Sequence, residues 1–193
     1  MLTNRLKSEK GNALTVAFLI ILPLIVIFTI ASLEHNRAVI GTDLDMQQAL
    51  NDTCRSAALC VDPLSQAYNN PMLEPDKAHA VFKRVLSSNL GLNDDLSPKD
   101  TSSIKDINYR LFIVNGENDY GILQGKMYPY PAEMEFETSL PYTITQDDLG
   151  IEEEINIKLD SPGCIAIVTA TLEPILGQQE TTATRWSSAK ILN

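Results

Sequence analysis

From Ala13 to Leu33 the chain runs without a charged residue. As a helix rising about 1.5 Å per residue, that run would span about 31 Å, the thickness of a bilayer's hydrocarbon core. Pro23 lies inside it and removes one helical hydrogen bond, so a kink or a loosened turn is expected there. Beyond Leu33 the pattern turns from uniform to periodic. Ile40, Leu44, Gln47, Leu50, Cys54, Ala58 and Val61 recur every three or four positions, one stripe of an amphipathic helix, with Asp43, Asp45, Gln48 and Arg55 opposite. The spacing predicts a basic leader-like segment over 1–11, one long helix over 12–61 whose apolar span is 13–33, and a head domain over 62–193. Packing against the chain's own head is the first explanation of the amphipathic stripe.

Asp62-Pro63 is read as the end of this helix, since a proline disfavours helical backbone in the residue before it. A turn-rich stretch follows to Glu74. Pro75 then suits the first position of a second helix, with Asp76 in its first turn. Ala78, Val81, Phe82, Val85 and Leu86 form its apolar face, and Gly91 is the expected stop. Residues 92–106 read as loop. From there on the pattern predicts strands: Tyr109–Val114, a turn over Asn115–Asp119, a hairpin partner over Tyr120–Tyr130, and alternation through Met134, Phe136, Thr138 and Leu140. Ile151–Asp160 alternates again, and Thr181–Leu192 closes the chain. Cys164–Leu172 is the most apolar and is expected to be central. The fold class is α+β, with a long N-terminal helix, one short helix and five or six antiparallel strands.

Charge sharpens this picture. The net charge is −10, yet residues 1–10 carry Arg5, Lys7 and Lys10 against Glu9, a local +2 that leaves −12 for the rest. Basic residues before an apolar span and acid after it imply a cytoplasmic N-terminus and a head outside. An acidic head repels phosphates, so nucleic acid is not an expected partner. A secretory signal peptide is the competing reading of the span. Its apolar core would be only about 7–15 residues, and Thr29-Ile30-Ala31 would be its cleavage site.

Outside the cytoplasm, Cys54, Cys60 and Cys164 allow one disulfide with a thiol left over. In an intact helix Cys54 and Cys60 would be about 9 Å apart, beyond the ~7 Å reach of a bridge. If a bond forms, Cys60 with Cys164 is the first pairing expected, because it would staple the helix end to the head, and Cys54 with Cys60 after fraying is the second; free buried thiols are the alternative to both. His35 and His79 lie on helices without ligands at metal spacing, and no phosphate loop, nucleophile elbow or Cys-x-x-Cys is present. The acidic clusters Asp94-Asp95 and Asp147-Asp148 with Glu152-Glu153-Glu154 lack a calcium-loop spacing and read as solvated charge. Asn51-Asp52-Thr53 is a glycosylation triplet inside a predicted helix. No enzyme, cofactor or metal is expected.

Gly11-Asn12-Ala13-Leu14-Thr15-Val16-Ala17-Phe18, leading into Ile21-Leu22-Pro23-Leu24, resembles the N-terminus of TadE-like type IV pilus proteins. Ile165 to Thr171, Pro174-Ile175-Leu176-Gly177 and the Thr-Ala-rich terminal strand resemble that family's last strands. The likeness covers about residues 8–60 and 163–190 and leaves out the middle. It implies cleavage by prepilin peptidase between Gly11 and Asn12, and polymerisation through the apolar helix. The partners would be copies of the chain or other pilins, the membrane before assembly, and the pilus assembly machinery. One position departs from the pattern. The family's usual glutamate at the fifth mature position is Val16 here, so a subunit that keeps residues 1–11 is a second expectation. The expected function is a structural subunit of a cell-surface filament; the alternative is a single-span anchored component or binding module that does not polymerise.

Overall fold

The structure is a computed structural model and describes residues 2–100, 102–117, 123–129, 134–138, 141–145, 155–172 and 180–191. The chain divides into two units, Met1–Thr42 and Asp43–Asn193. Helix α1 (Leu2–Ala58) supplies all of the first unit's secondary structure and opens the second. The amphipathic end of the helix thus groups with the head rather than with the apolar span, which moves the compact unit's start well before residue 62.

Within the second unit follow α2 (Pro63–Ala67), α3 (Pro75–Asn89), β1 (Ile104–Glu117), β2 (Leu123–Pro129), β3 (Met134–Thr138), β4 (Tyr142–Thr145), β5 (Asn156–Leu159), β6 (Gly163–Leu172) and β7 (Thr181–Lys190). The class is α+β. Strands order as β3-β2-β1-β6-β7 in one antiparallel sheet, and β4 pairs with β5 in a second. The most apolar strand, β6, lies between two neighbours, and β1 holds the middle of the sheet.

Three layers follow from alternation along β1 and β6. Phe112, Val114, Ile165 and Ile167 point to one face, where Ile155, Ile157 and Leu159 cover them. The alternate residues, Cys164 among them, face the helices. Met46, Leu50, Cys54 and Ala57 are the buried stripe of α1, close to the periodicity read from the sequence. Hydrogen bonds tie that stripe to β7: Gln47 Nε2 donates to the Trp186 carbonyl at 3.1 Å, and Ser187 Oγ to Asn51 Oδ1 at 2.7 Å. Phe82 of α3 packs on Tyr109 of β1, with ring centroids 5.4 Å apart.

Several boundaries differ from expectation, each for a local reason. Asp62-Pro63 does end α1, but it also starts α2. Asp62 accepts the Ser65 N–H through its carboxylate at 2.9 Å, and Pro63 fills the first helical position. β1 begins within the predicted loop and runs through Asn115-Gly116, the expected turn. A register shift between Val114 and Glu117 absorbs those residues. The Asn115 amide accepts from the Leu73 N–H at 2.6 Å and donates to the Leu73 carbonyl at 2.9 Å, imitating a strand partner. β4 was not foreseen, and β5 keeps only the end of the predicted 151–160 strand among the described residues. The Asn118–Asp119 end of the expected turn and Leu140 lie outside those residues.

Candidate functional site

Thr15–Leu33 is long and apolar enough to cross a membrane, and none of it is buried within the chain. Its large apolar side chains are between 47% and 74% exposed, and they point in every direction around the helix: Phe18, Leu19, Ile20 and Ile21 alone sweep most of a full turn. A helix apolar all round finds its partner in lipid or in other apolar helices rather than in water. Length and composition fit a membrane anchor and a signal sequence alike. Thr29 returns its hydroxyl to the Ile25 carbonyl at 2.8 Å, which satisfies the donor without water. Pro23 lies inside α1 and the helix continues through it. Gly11 and Asn12 are also in α1, and the side chains of Lys10, Asn12 and His35 lie outside the described residues.

Neither of the cysteine pairings read from the sequence is formed, and the third alternative, free thiols, is the one present. All three are buried free thiols. Cys164 Sγ sits 3.3 Å from the carbonyl of Cys54, not against Cys60. Helical phase explains the difference: Cys54 belongs to the sheet-facing stripe, whereas Cys60 follows the end of α1. Its carbonyl accepts the Glu74 N–H at 2.8 Å, and its sulfur turns back toward the Ser56 carbonyl, 3.7 Å away. Burial raises the Cys60 thiol pKa above its ordinary value.

A polar cluster unforeseen from the sequence joins α3 to β1 and β2. The Tyr128 hydroxyl donates to Asp76 Oδ1 at 3.0 Å, and Lys126 Nζ reaches the same oxygen at 2.7 Å. His79 stacks on Tyr128 with centroids 3.9 Å apart, while its Nε2 lies 2.6 Å from the Tyr109 hydroxyl. Hydrogen bonding to Lys126, then to Tyr128, holds the Asp76 carboxyl below its usual range. Burial first, then the bond to Asp76, pushes the Tyr128 hydroxyl pKa up. The Asp76 and His79 positions were legible as one helical face, three apart, but their tyrosine partners come from strands distant in sequence. Every polar atom named here has a structural partner, and the cluster reads as a clamp.

Other sequence candidates resolve locally. Asp95 accepts from the Ser97 N–H at 2.9 Å and from its hydroxyl at 2.6 Å, an Asx turn that lowers its carboxyl pKa. The cluster at 147–154 lies outside the described residues. Among the described residues no group of three or more His, Cys, Asp or Glu could hold a metal ion. Thr53 of the glycosylation triplet is fully buried and bonded to the Ala49 carbonyl at 2.6 Å, and Asn51 is engaged by Ser187. The triplet is therefore occupied by packing. Comparison with protein-family models, curated proteins and solved structures returned no match.

Proposed function

We propose that this protein is a structural subunit of a Tad-type, type IV pilus-like filament, held in the cytoplasmic membrane before assembly with its N-terminus inside and its head outside. The carrying observation is the span at Thr15–Leu33, apolar on every face and uncovered by its own chain. Copies of one helix bury such a surface against each other, and outside the membrane, where water is the alternative, each Å² so covered contributes about 25 cal/mol. The basic first ten residues and the acidic remainder support the orientation. The resemblance at Gly11–Phe18 supports maturation between Gly11 and Asn12. On this reading the head meets solvent, and the role is architectural rather than catalytic.

Val16 favours a second reading. Without the glutamate that registers an incoming subunit, the chain would remain a single-span anchored component. Shearing cells and blotting the released material separates the two: a filament subunit enters the high-molecular-weight sheared fraction, and an anchor stays with membranes. A charge at the middle of the span, Leu22→Glu, is expected to abolish filaments seen by electron microscopy, because an unpaired carboxylate in an apolar interface costs several kcal/mol, as an order of magnitude. Normal filaments from that variant would sink the proposal. Mass spectrometry of the mature N-terminus reads whether Asn12 or an upstream residue comes first.

A further inference from the structure

Cys54 and Cys164 are far apart in sequence and meet in the interior of the head. Cys54 stands on the sheet-facing stripe of α1, one turn beyond Leu50; Cys164 is the second residue of β6. The Cys164 sulfur lies 3.3 Å from the Cys54 carbonyl, and the Cys54 sulfur 3.6 Å from the Ser187 carbonyl on the neighbouring strand. Both residues are fully buried. Interaction with the Cys54 side chain is the first cause raising the Cys164 thiol pKa, with burial second. A disulfide spans Cβ atoms about 3.8 Å apart, and a Cys164 sulfur 3.3 Å from the Cys54 carbonyl puts the two residues side by side on facing elements.

We propose that Cys54 and Cys164 form a disulfide stapling α1 to β6 in the extracytoplasmic head, and that Cys60 remains a thiol. The proposal rests on the outward orientation given above, because disulfides persist in oxidising compartments. The oxidant is a donor disulfide, small-molecule or protein. One cysteine thiolate attacks a donor sulfur and expels the donor's other sulfur as a thiolate. The second cysteine thiolate then attacks the resulting mixed disulfide and frees the second donor sulfur. Two protons and two electrons pass from the cysteine pair to the donor, which leaves as two thiols. In the folded head both sulfurs are sheltered and the Cys164 thiolate is disfavoured, so exchange takes place before α1 docks on the sheet or during its transient opening.

Two arms test this. In the first, the full chain, purified in detergent, is equilibrated with oxidised and reduced glutathione, trapped with N-ethylmaleimide, digested without reduction and mapped by mass spectrometry. The expected result is a Cys54–Cys164 linked peptide with the maleimide on Cys60. Three alkylated cysteines, or a bond through Cys60, would overturn the pairing. In the second arm the same trapping is applied to intact cells. A chain that closes with glutathione but is reduced in cells overturns the outward orientation, and with it the bond in the living cell. On denaturing non-reducing gels, Cys60→Ser keeps the faster-migrating oxidised form, while Cys164→Ser and Cys54→Ser lose it; loss of that form in Cys60→Ser would also overturn the pairing. Because the gel reads unfolded chains, a variant with a damaged fold still gives an answer.

Discussion

At Gly163 a Cβ would collide with the Ala189 carbonyl oxygen, because β6 and β7 pair there with Gly163 opposite Lys190. At Gly91 the space is open, but φ is +65°, the left-handed region. Gly91 stops α3 in a Schellman arrangement, with the Leu92 N–H bonded to the Ser87 carbonyl at 2.8 Å. The two glycines are thus needed for different reasons, one steric and one conformational. Gly163→Ala is expected to destabilise the head by about 1–3 kcal/mol, through forced separation of two strands. Gly91→Ala is expected to cost about 1–2 kcal/mol, through the left-handed backbone alone. Urea unfolding followed by fluorescence of the chain's one tryptophan, Trp186, measures both, since that residue accepts a hydrogen bond from Gln47 of α1 through its backbone. A Gly163→Ala variant as stable as the parent would mean that the strand contact relaxes freely.

Helix α1 changes its role along its length. Over Thr15–Leu33 none of it is buried within the chain, and over its last turns it is a layer of the head. Leu50 is completely buried in that layer, whereas Leu59, just after the helix, is 81% exposed. Leu50→Ala should cost about 2–5 kcal/mol, the range for a buried leucine whose cavity relaxes only in part. Leu59→Ala should stay within about 0.5 kcal/mol. The same urea titration tells them apart; equal effects would show that the helix end does not cover the sheet. Helix α3 is held by a hydrophobic face through Phe82 and by the Asp76 clamp at its first turn, so its position depends on charge as well as on burial.

For the molecule as a whole, stability should fall at both ends of the pH scale. Asp76 and Asp160 are held below 3.8, each first by a lysine hydrogen bond, from Lys126 and Lys190. Their contributions are present above the unfolded carboxyl value and are lost as pH falls through the lower folded values. Both carboxylates are exposed, so solvent screening keeps this acid limb shallow. Lys126 is raised above 10.5, first by its bond to Asp76, and Tyr128 above 10.0, first by burial. Those contributions are complete below the unfolded values and disappear as pH climbs through the folded ones. Urea midpoints at about pH 3, 7 and 11 should peak in the middle, and Lys126→Met should flatten both limbs. An unchanged profile in that variant would remove the clamp from the account. The apolar span, the helix over Pro75–Asn89, its glycine stop and the central strand β6 were readable from the chain, because each is a local pattern within a short stretch, whereas β4 and the true extent of β1 were not. The pairing order β3-β2-β1-β6-β7, the Asn115–Leu73 bond, the Tyr128–Asp76–Lys126 clamp and the meeting of Cys54 with Cys164 were not. Each joins residues from distant segments whose approach depends on register and helical phase, and only the packed structure sets those.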